Sequence, residues 1–388
     1  MKILFCARPS FGHVYPLMPL AAAARDANHQ LAFATSGPFR GRLESWGYPT
    51  HAVGMSIPEA CQRVFARTGR TSMIGPDGRT DAAMGGRVFI DELAPRTAAD
   101  LTPLLAALEP DLVVYEPGDL GAGIAAHLAG VRAIGHAISP PMPVAFATAF
   151  VGDRLDRLWR DHGVDDPPFD LFTGEAYIDI FPGALRETRL LTNPARIPMR
   201  PVPFADPDAA SPGWLGRTGR PLVYLTMGTV VANDRLLATV VSGLAGLDVD
   251  VLVALGNAPG TDLGPLPPNV HVEAFVDQSA VLRHADLAVH HGGSGTMLGA
   301  LFHGVPQLVL PQGADQFINA DAVRAAGLGL TLTPDDITAD RVAELARRAL
   351  AEHRPAIAAA RDEIMAMPHP VSVLEDLVAR YARVPARL

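Results

Sequence analysis

The chain has 388 residues, too many for one ordinary hydrophobic core, so two domains are expected. Hydrophobic residues make up 48% of it and charged residues 19%, which suits a soluble globular protein with a sizeable apolar interior. With 32 basic against 41 acidic residues the formal net charge is -9, and no cluster of Lys and Arg offsets it, so a nucleic-acid partner is excluded. Cys6 and Cys61 do not make a disulfide framework, and a reducing compartment follows. The first apolar residues begin like a secretion signal, but Arg8-Pro9 and Gly12-His13 interrupt them. No stretch of about 18 apolar residues follows, so no membrane span is expected and the cytoplasm is the expected location.

In chain order, residues 2–7 read as an apolar strand, 8–16 as a loop, 17–27 as a helix and 31–35 as a second short strand. The rhythm returns at 111–115 and 131–138, the pattern of a parallel sheet covered on both faces. Residues 55–88, which include the turn signal Gly75-Pro76-Asp77-Gly78, and residues 139–181 show no clear period and read as long excursions suited to binding. Prolines 194, 198, 201, 203, 207, 212 and 221 mark an extended connector over 193–221. A second unit then runs through strands at 222–226, 249–255, 270–274, 286–290 and 307–310, with a helix from about Asn233. The expected division is a first domain over 1–200, a linker over 201–220, a second domain over 221–370, and a last helix over 371–388 that packs back on the first domain. The fold class is α/β, two doubly wound Rossmann-like domains facing a central cleft.

Five loops follow predicted strands at their carboxyl ends: 10–15, 116–121, Gly228-Thr229, 291–296 and 311–319. His290-His291-Gly292-Gly293-Ser294-Gly295-Thr296 is a strand-to-helix turn with several anion-binding devices. Its glycines let the backbone approach a ligand, and the first N–H groups of the following helix lack intrahelical partners. A phosphate fits there, with hydroxyls from Ser294 and Thr296 and an imidazole N–H from His291 as added donors; the competing possibility is a plain connecting turn. The pattern is neither a Walker loop nor G-x-G-x-x-G, which counts against ATPase and dinucleotide functions. In the first loop His13 stands just before a helix, placed to accept a proton, with a merely capping or exposed histidine as the alternative. Glu116 would bond one ring nitrogen and raise the basicity of the other, and Asp119 competes for that role.

The run Asp286 to Thr296, then Gly304-Val305-Pro306-Gln307, then Pro311-Gln312-Gly313-Ala314-Asp315-Gln316, resembles the donor signature of nucleotide-sugar glycosyltransferases of the GT-B fold. More narrowly it resembles the actinomycete natural-product branch, including the calicheamicin glycosyltransferases, whose catalytic loop Gly12-His13-Val14-Tyr15-Pro16 matches. The resemblance implies His13 as general base with Glu116 orienting it. It implies His291 and the amides of Gly293, Ser294 and Gly295 on the donor diphosphate, with Thr296 beside them. Gly228 and Thr229 would meet the distal phosphate, and Asp315 and Gln316 the sugar hydroxyls. Phe275, Val276 and Gln278 fall on the base-binding strip, where the family usually has Trp in place of Phe275 and proline in place of Asp277. Phe11, Met55, Asp119 and Met142 are expected to line the acceptor site.

The implied reaction is inverting, metal-independent transfer of a deoxysugar from a TDP-sugar, or a UDP-sugar, to a hydroxyl of a hydrophobic natural product, with no cofactor besides the sugar nucleotide. Asp206-Pro207-Asp208 and Asp248-Val249-Asp250 match D-x-D by chance, since one lies in the connector and the other enters a strand at its amino end. The alternatives are a nucleotide-sugar 2-epimerase and a non-catalytic binding partner of the same fold. Sugar, acceptor and oligomeric state stay open, a homodimer among the options.

Overall fold

The computed structural model describes residues 1–37, 39–75, 78–209, 211–216, 219–228, 234–256, 263–352 and 354–382, with backbone alone at 188 and 189. The chain divides into two compact units, Met1–Phe181 with Glu187–Arg200 and Met367–Leu388, and Pro182–Arg186 with Pro201–Ala366.

In the first unit, among the described residues, seven strands form one parallel sheet. They are β1 (Lys2–Cys6), β2 (Gln30–Thr35), β3 (Thr50–Ala52), β4 (Leu112–Tyr115), β5 (Arg132–His136), β6 (Ala176–Asp179) and β7 (Arg196–Pro198), in the order β3-β2-β1-β4-β5-β6-β7. Their apolar side chains alternate between faces: Leu4 and Cys6 join Val113 and Tyr115 in one core cluster, while Phe5 stacks on Phe33 at 5.2 Å. Strand order reverses between β1 and β4, whose register sets Cys6 opposite Tyr115. At such a reversal the next loops diverge and leave a crevice at the carboxyl edge.

The second unit repeats the arrangement with β8 (Leu222–Thr226), β9 (Asp250–Ala254), β10 (Val270–Glu273), β11 (Leu287–His290), β12 (Gln307–Val309) and β13 (Gly329–Thr331), in the order β10-β9-β8-β11-β12-β13. Val223, Leu225, Val251, Val253, Leu287 and Val289 face helices Asp234–Ala245 and Ala339–Ala351. Leu222, Tyr224, Leu252, Ala254 and Ala288 pack on the other side with Val281, Leu282 and Ala300. Here the order reverses between β8 and β11, with Thr226 opposite His290.

Three stretches differ from the sequence expectation. Residues 55–88 are not a loop excursion: they hold helices Ile57–Thr68 and Ala82–Gly86, and a π-helical turn, Arg87–Leu93, follows. Ser56 caps the first by accepting from Glu59 N, a Ser-x-x-Glu signal with Pro58 in the first turn. Residues 139–181 include helices Val144–Val151 and Arg154–Asp161 and the strand β6. The proline-rich stretch supplies β7, which tolerates Pro198 because it lies at the sheet edge. The expected cap at Asn233 lies outside the described residues. Helix Pro370–Tyr381 belongs to the first unit and packs on helix Met18–Asp26, burying Val373, Leu374 and Leu377. Among the described residues no helix is long and apolar enough to cross a membrane.

Candidate active site

In the first unit the reversal between β1 and β4 holds a histidine and a carboxylate. The single turn Phe11–Val14 follows β1 and carries His13, whose Nδ1 lies 3.0 Å from Glu116 Oε2. The carboxylate is wholly buried, whereas the histidine side chain keeps 19% of its surface. Glu116 Oε1 also accepts from Arg8 N at 3.0 Å, and Oε2 from Gly118 N at 2.5 Å. Burial by itself would raise the Glu116 carboxyl, but the charge and hydrogen bond of His13, with the amide and guanidinium of Arg8, outweigh it and hold the group below its ordinary value. An ionised carboxylate accepts from a proton-bearing Nδ1, which leaves the lone pair on Nε2.

Asp119 does not share this role. Its carboxylate is 3% exposed and pairs with the guanidinium of Arg8, which also reaches Thr97 Oγ1, Gly118 O and Met55 O. Burial lifts the Asp119 carboxyl above the usual range, Arg8 opposes this, and the Glu116 charge adds to it.

In the second unit the reversal between β8 and β11 is built from backbone and neutral rings. His290 is wholly buried; its Nδ1 accepts from Gly292 N at 3.1 Å, so Nε2 carries the proton and donates to Gln307 Oε1 at 2.9 Å. Burial pushes this imidazole down to about 3, with the His291 charge adding and the Gln307 bond opposing. His291 is pushed down to about 4 by burial, against a backbone hydrogen bond to Thr226. Its ring occupies space that only glycines leave: a Cβ on Gly228 would stand 2.4 Å from its Cε1, and one on Gly293 2.6 Å from its Nε2. Gly228 also takes φ 78°, a left-handed conformation suited to glycine. Helix Ser294–His303 starts at Gly293 with no side-chain cap, so its first amides keep their capacity to bind an acceptor.

Two of the expected donor contacts are altered by what these side chains already hold. Thr296 donates its hydroxyl to Gln278 Oε1 at 2.9 Å, which commits the proton expected to meet a phosphate. Gln316 is 4% exposed, and its Oε1 accepts from Gln312 N at 2.8 Å and Gly313 N at 3.2 Å, bracing its own loop. Ser294 Oγ accepts from Asn319 Nδ2 at 3.2 Å, which leaves its own proton for donation. The same Asn319 amide donates to Gly292 O at 2.7 Å and to Asp315 Oδ2 at 3.1 Å. Gly295 is exposed in the first helical turn, and Thr229 lies outside the described residues.

The erythromycin biosynthesis protein CIII-like family matches through its N-terminal domain at residues 23–228 and its C-terminal domain at residues 238–380. The chain belongs to this family.

Of the proteins it is similar to, the L-demethylnoviosyl transferase of Streptomyces niveus is 31% identical over 98% of both chains. The TDP-daunosamine transferase of Streptomyces peucetius is 28% identical over 100% of this chain and 99% of that one. The structure of the glycosyltransferase VinC in complex with dTDP is 25% identical with a TM-score of 0.79, over 99% of this chain and 100% of that one. The calicheamicin glycosyltransferase CalG4 shares the fold with a TM-score of 0.78 at 21% identity over 99% of each chain. The architecture is GT-B, two Rossmann-like α/β domains, in a glycosyltransferase family of antibiotic pathways.

Against the family's usual base strip, Phe275 stays partly exposed, while Val276 is 6% exposed inside a core cluster and offers no free side chain. Asp277 caps helix Gln278–Leu282 by accepting from Ser279 N at 3.0 Å and Ala280 N at 3.2 Å. Of the expected acceptor contacts, Phe11 is partly exposed among Tyr15 and Phe39, with the Arg42 guanidinium 5.0 Å above its ring. Met142 is partly exposed ahead of helix Val144–Val151. Met55 and Asp119 are instead buried, one in an apolar cluster and the other against Arg8. The D-x-D matches are local structure: Asp250 pairs with Arg220 at 2.6 Å, and Asp206 accepts from Asp208 N at 2.8 Å.

Arg8, Thr97, Gly118, His290, Gln307 and Asn319 were not legible as site residues. Weak signals existed: a lone arginine directly after an apolar strand, and an asparagine four residues after Asp315 on one helix face.

Proposed function

We propose that the protein is an inverting glycosyltransferase that moves a deoxysugar from a TDP-activated donor to a hydroxyl of a hydrophobic natural product. The observation that carries the reading is the contact of His13 Nδ1 with the buried Glu116 carboxylate at 3.0 Å. That contact supports the tautomer in which Nδ1 carries the proton and Nε2 takes the acceptor's. The acceptor oxygen then bonds the anomeric carbon as the bond from that carbon to the diphosphate breaks, and the diphosphate leaves with the electron pair from the opposite face. Charge grows on the leaving oxygens, where the open amides of helix Ser294–His303 would meet it, so the reading needs no metal ion. TDP is favoured by the relatives named for TDP-daunosamine transfer and bound to dTDP.

The test offers TDP-deoxysugars and a panel of apolar hydroxylated acceptors, with products identified by mass spectrometry. His13→Ala is expected to lower kcat by ~10²- to 10⁴-fold, the range typical of losing a general base. Undiminished turnover would remove His13 from the mechanism.

A further inference from the structure

Beneath the histidine–glutamate pair lies a second buried charge pair. Arg8 is 2% exposed and Asp119 3%, and the two are in direct contact. The guanidinium is used from several sides: Nε donates to Gly118 O at 3.0 Å, Nη1 to Met55 O at 3.4 Å, and Nη2 to Thr97 Oγ1 and Asp119 Oδ1. Its backbone amide holds Glu116 Oε1, and Gly118, whose carbonyl it holds, gives its own amide to Glu116 Oε2. Both oxygens of Glu116 are thus fixed through Arg8 or through the peptide that Arg8 anchors.

The charges on this network give Arg8 a second role. With Arg8 positive and Asp119 and Glu116 negative, the buried set carries one net negative charge while His13 is neutral, and none once His13 has taken a proton. Of the titratable groups nearby, the Cys6 thiol on β1, pushed well up by burial, and the His136 imidazole on β5, pushed down to about 4 by burial, contribute no charge at neutral pH. The Asp179 carboxylate of β6, beyond His136, is paired with Arg196 at 2.7 Å.

We propose that Arg8 and Asp119 are positioning residues for the general base: they orient Glu116 and, through the net charge of the buried set, tune how readily His13 takes the acceptor's proton. The inference rests on the reading of His13 as that base.

Three variants of the full-length protein test it through the pH profile of kcat/KM. Arg8→Met leaves two buried carboxylates unopposed, which stabilise a proton on His13 and move the acid limb up by ~1 unit or more. Its kcat/KM at neutral pH is expected to fall by roughly 10- to 100-fold, as for other losses of a supporting partner. Asp119→Asn leaves Arg8 uncancelled and moves the limb down. The double variant Arg8→Met/Asp119→Asn restores the net charge and returns the limb toward its native position.

If Arg8→Met does not fold, the Asp119→Asn variant and the double variant still read opposite predictions. Acid limbs that stay fixed across the variants that fold, with stability alone changed, would overturn the proposal and reduce the pair to structural support. A fully active His13→Ala would instead overturn the underlying reading, whatever the Arg8 series gives.

Discussion

Both sets of candidate residues sit where strand order reverses, yet they are made of opposite materials. Between β1 and β4 the protein buries full charges, Arg8, Glu116 and Asp119, around a histidine. Between β8 and β11 it places two imidazoles held neutral and the uncapped start of a helix. On the proposed function, the difference follows from where charge originates. A base must have its charge relationships set before the acceptor arrives, so the protein supplies a buried carboxylate and the cation that balances its neighbour. A diphosphate brings its own charge, and a dipolar, uncharged cradle receives it without a buried cation needing neutralisation in the empty state.

The largest effect expected from breaking this contrast comes from Gly118→Ala. A Cβ there would stand 2.8 Å from both Glu116 Oε2 and His13 Cε1, so these side-chain ends must move apart. The fold can absorb that shift, whereas the proton relay cannot. Turnover should fall by roughly 10² or more, with donor binding unchanged, as for displaced catalytic groups. Rate assays alongside calorimetric titration of TDP check it, and a normal kcat would show that the pair tolerates displacement.

The matching change in the other unit is Gly228→Ala, which forces a Cβ to 2.4 Å from the His291 ring and puts alanine at φ 78°. Here weaker TDP binding is expected, by about tenfold, the equivalent of about 1.4 kcal/mol. Titration that finds native affinity would mean His291 does not touch the phosphates.

How much of this was legible follows the same division. The strands flanking both reversals are runs of Val, Leu, Ile and Ala, and the sequence marks them plainly. The short edge strands β3, β7 and β13 have three residues each, too few for any period, and form because a neighbour offers a ladder. The backbone-built cradle was readable because His291-Gly292-Gly293-Ser294-Gly295-Thr296 is contiguous. The charged network was only half readable: Arg8, Thr97 and Asp119 are far apart in sequence, the pairing of β1 with β4 brings the loops of Arg8 and Asp119 together, and Thr97 comes from helix Ala94–Leu108. Met55 and Asp119 were assigned to acceptor binding because their loops were expected at the site, and burial and Arg8 claim both.

A smaller effect sharpens the comparison through pH. Burial pushes the folded imidazole of His290 down to about 3 from its ordinary value of about 6.5, so the unfolded chain takes up a proton that the folded one refuses. The neutral-ring contribution is therefore complete above about pH 6.5 and is lost as pH falls toward the folded value. His290→Gln removes this titration. The stability gap between the native protein and the variant, measured by urea unfolding, should narrow by about 2 kcal/mol from pH 7.5 to 5. A gap that stays constant would mean that His290 is protonated in the folded protein.

The smallest effect concerns the expected base strip. The Oδ1 of Asp277 accepts from Ser279 N and Ala280 N, so it starts helix Gln278–Leu282, from which Gln278 holds the Thr296 hydroxyl. The aspartate thus fixes this helix start with a side-chain cap. Asp277→Ala should cost about 0.5–2 kcal/mol, the usual value of an N-cap, visible as a lower Tm. Because the capped helix carries Gln278 rather than a phosphate ligand, TDP affinity should change far less than in Gly228→Ala. An affinity loss as large as that of the glycine variant would show that the base strip, and not only the cradle around His291, governs donor binding.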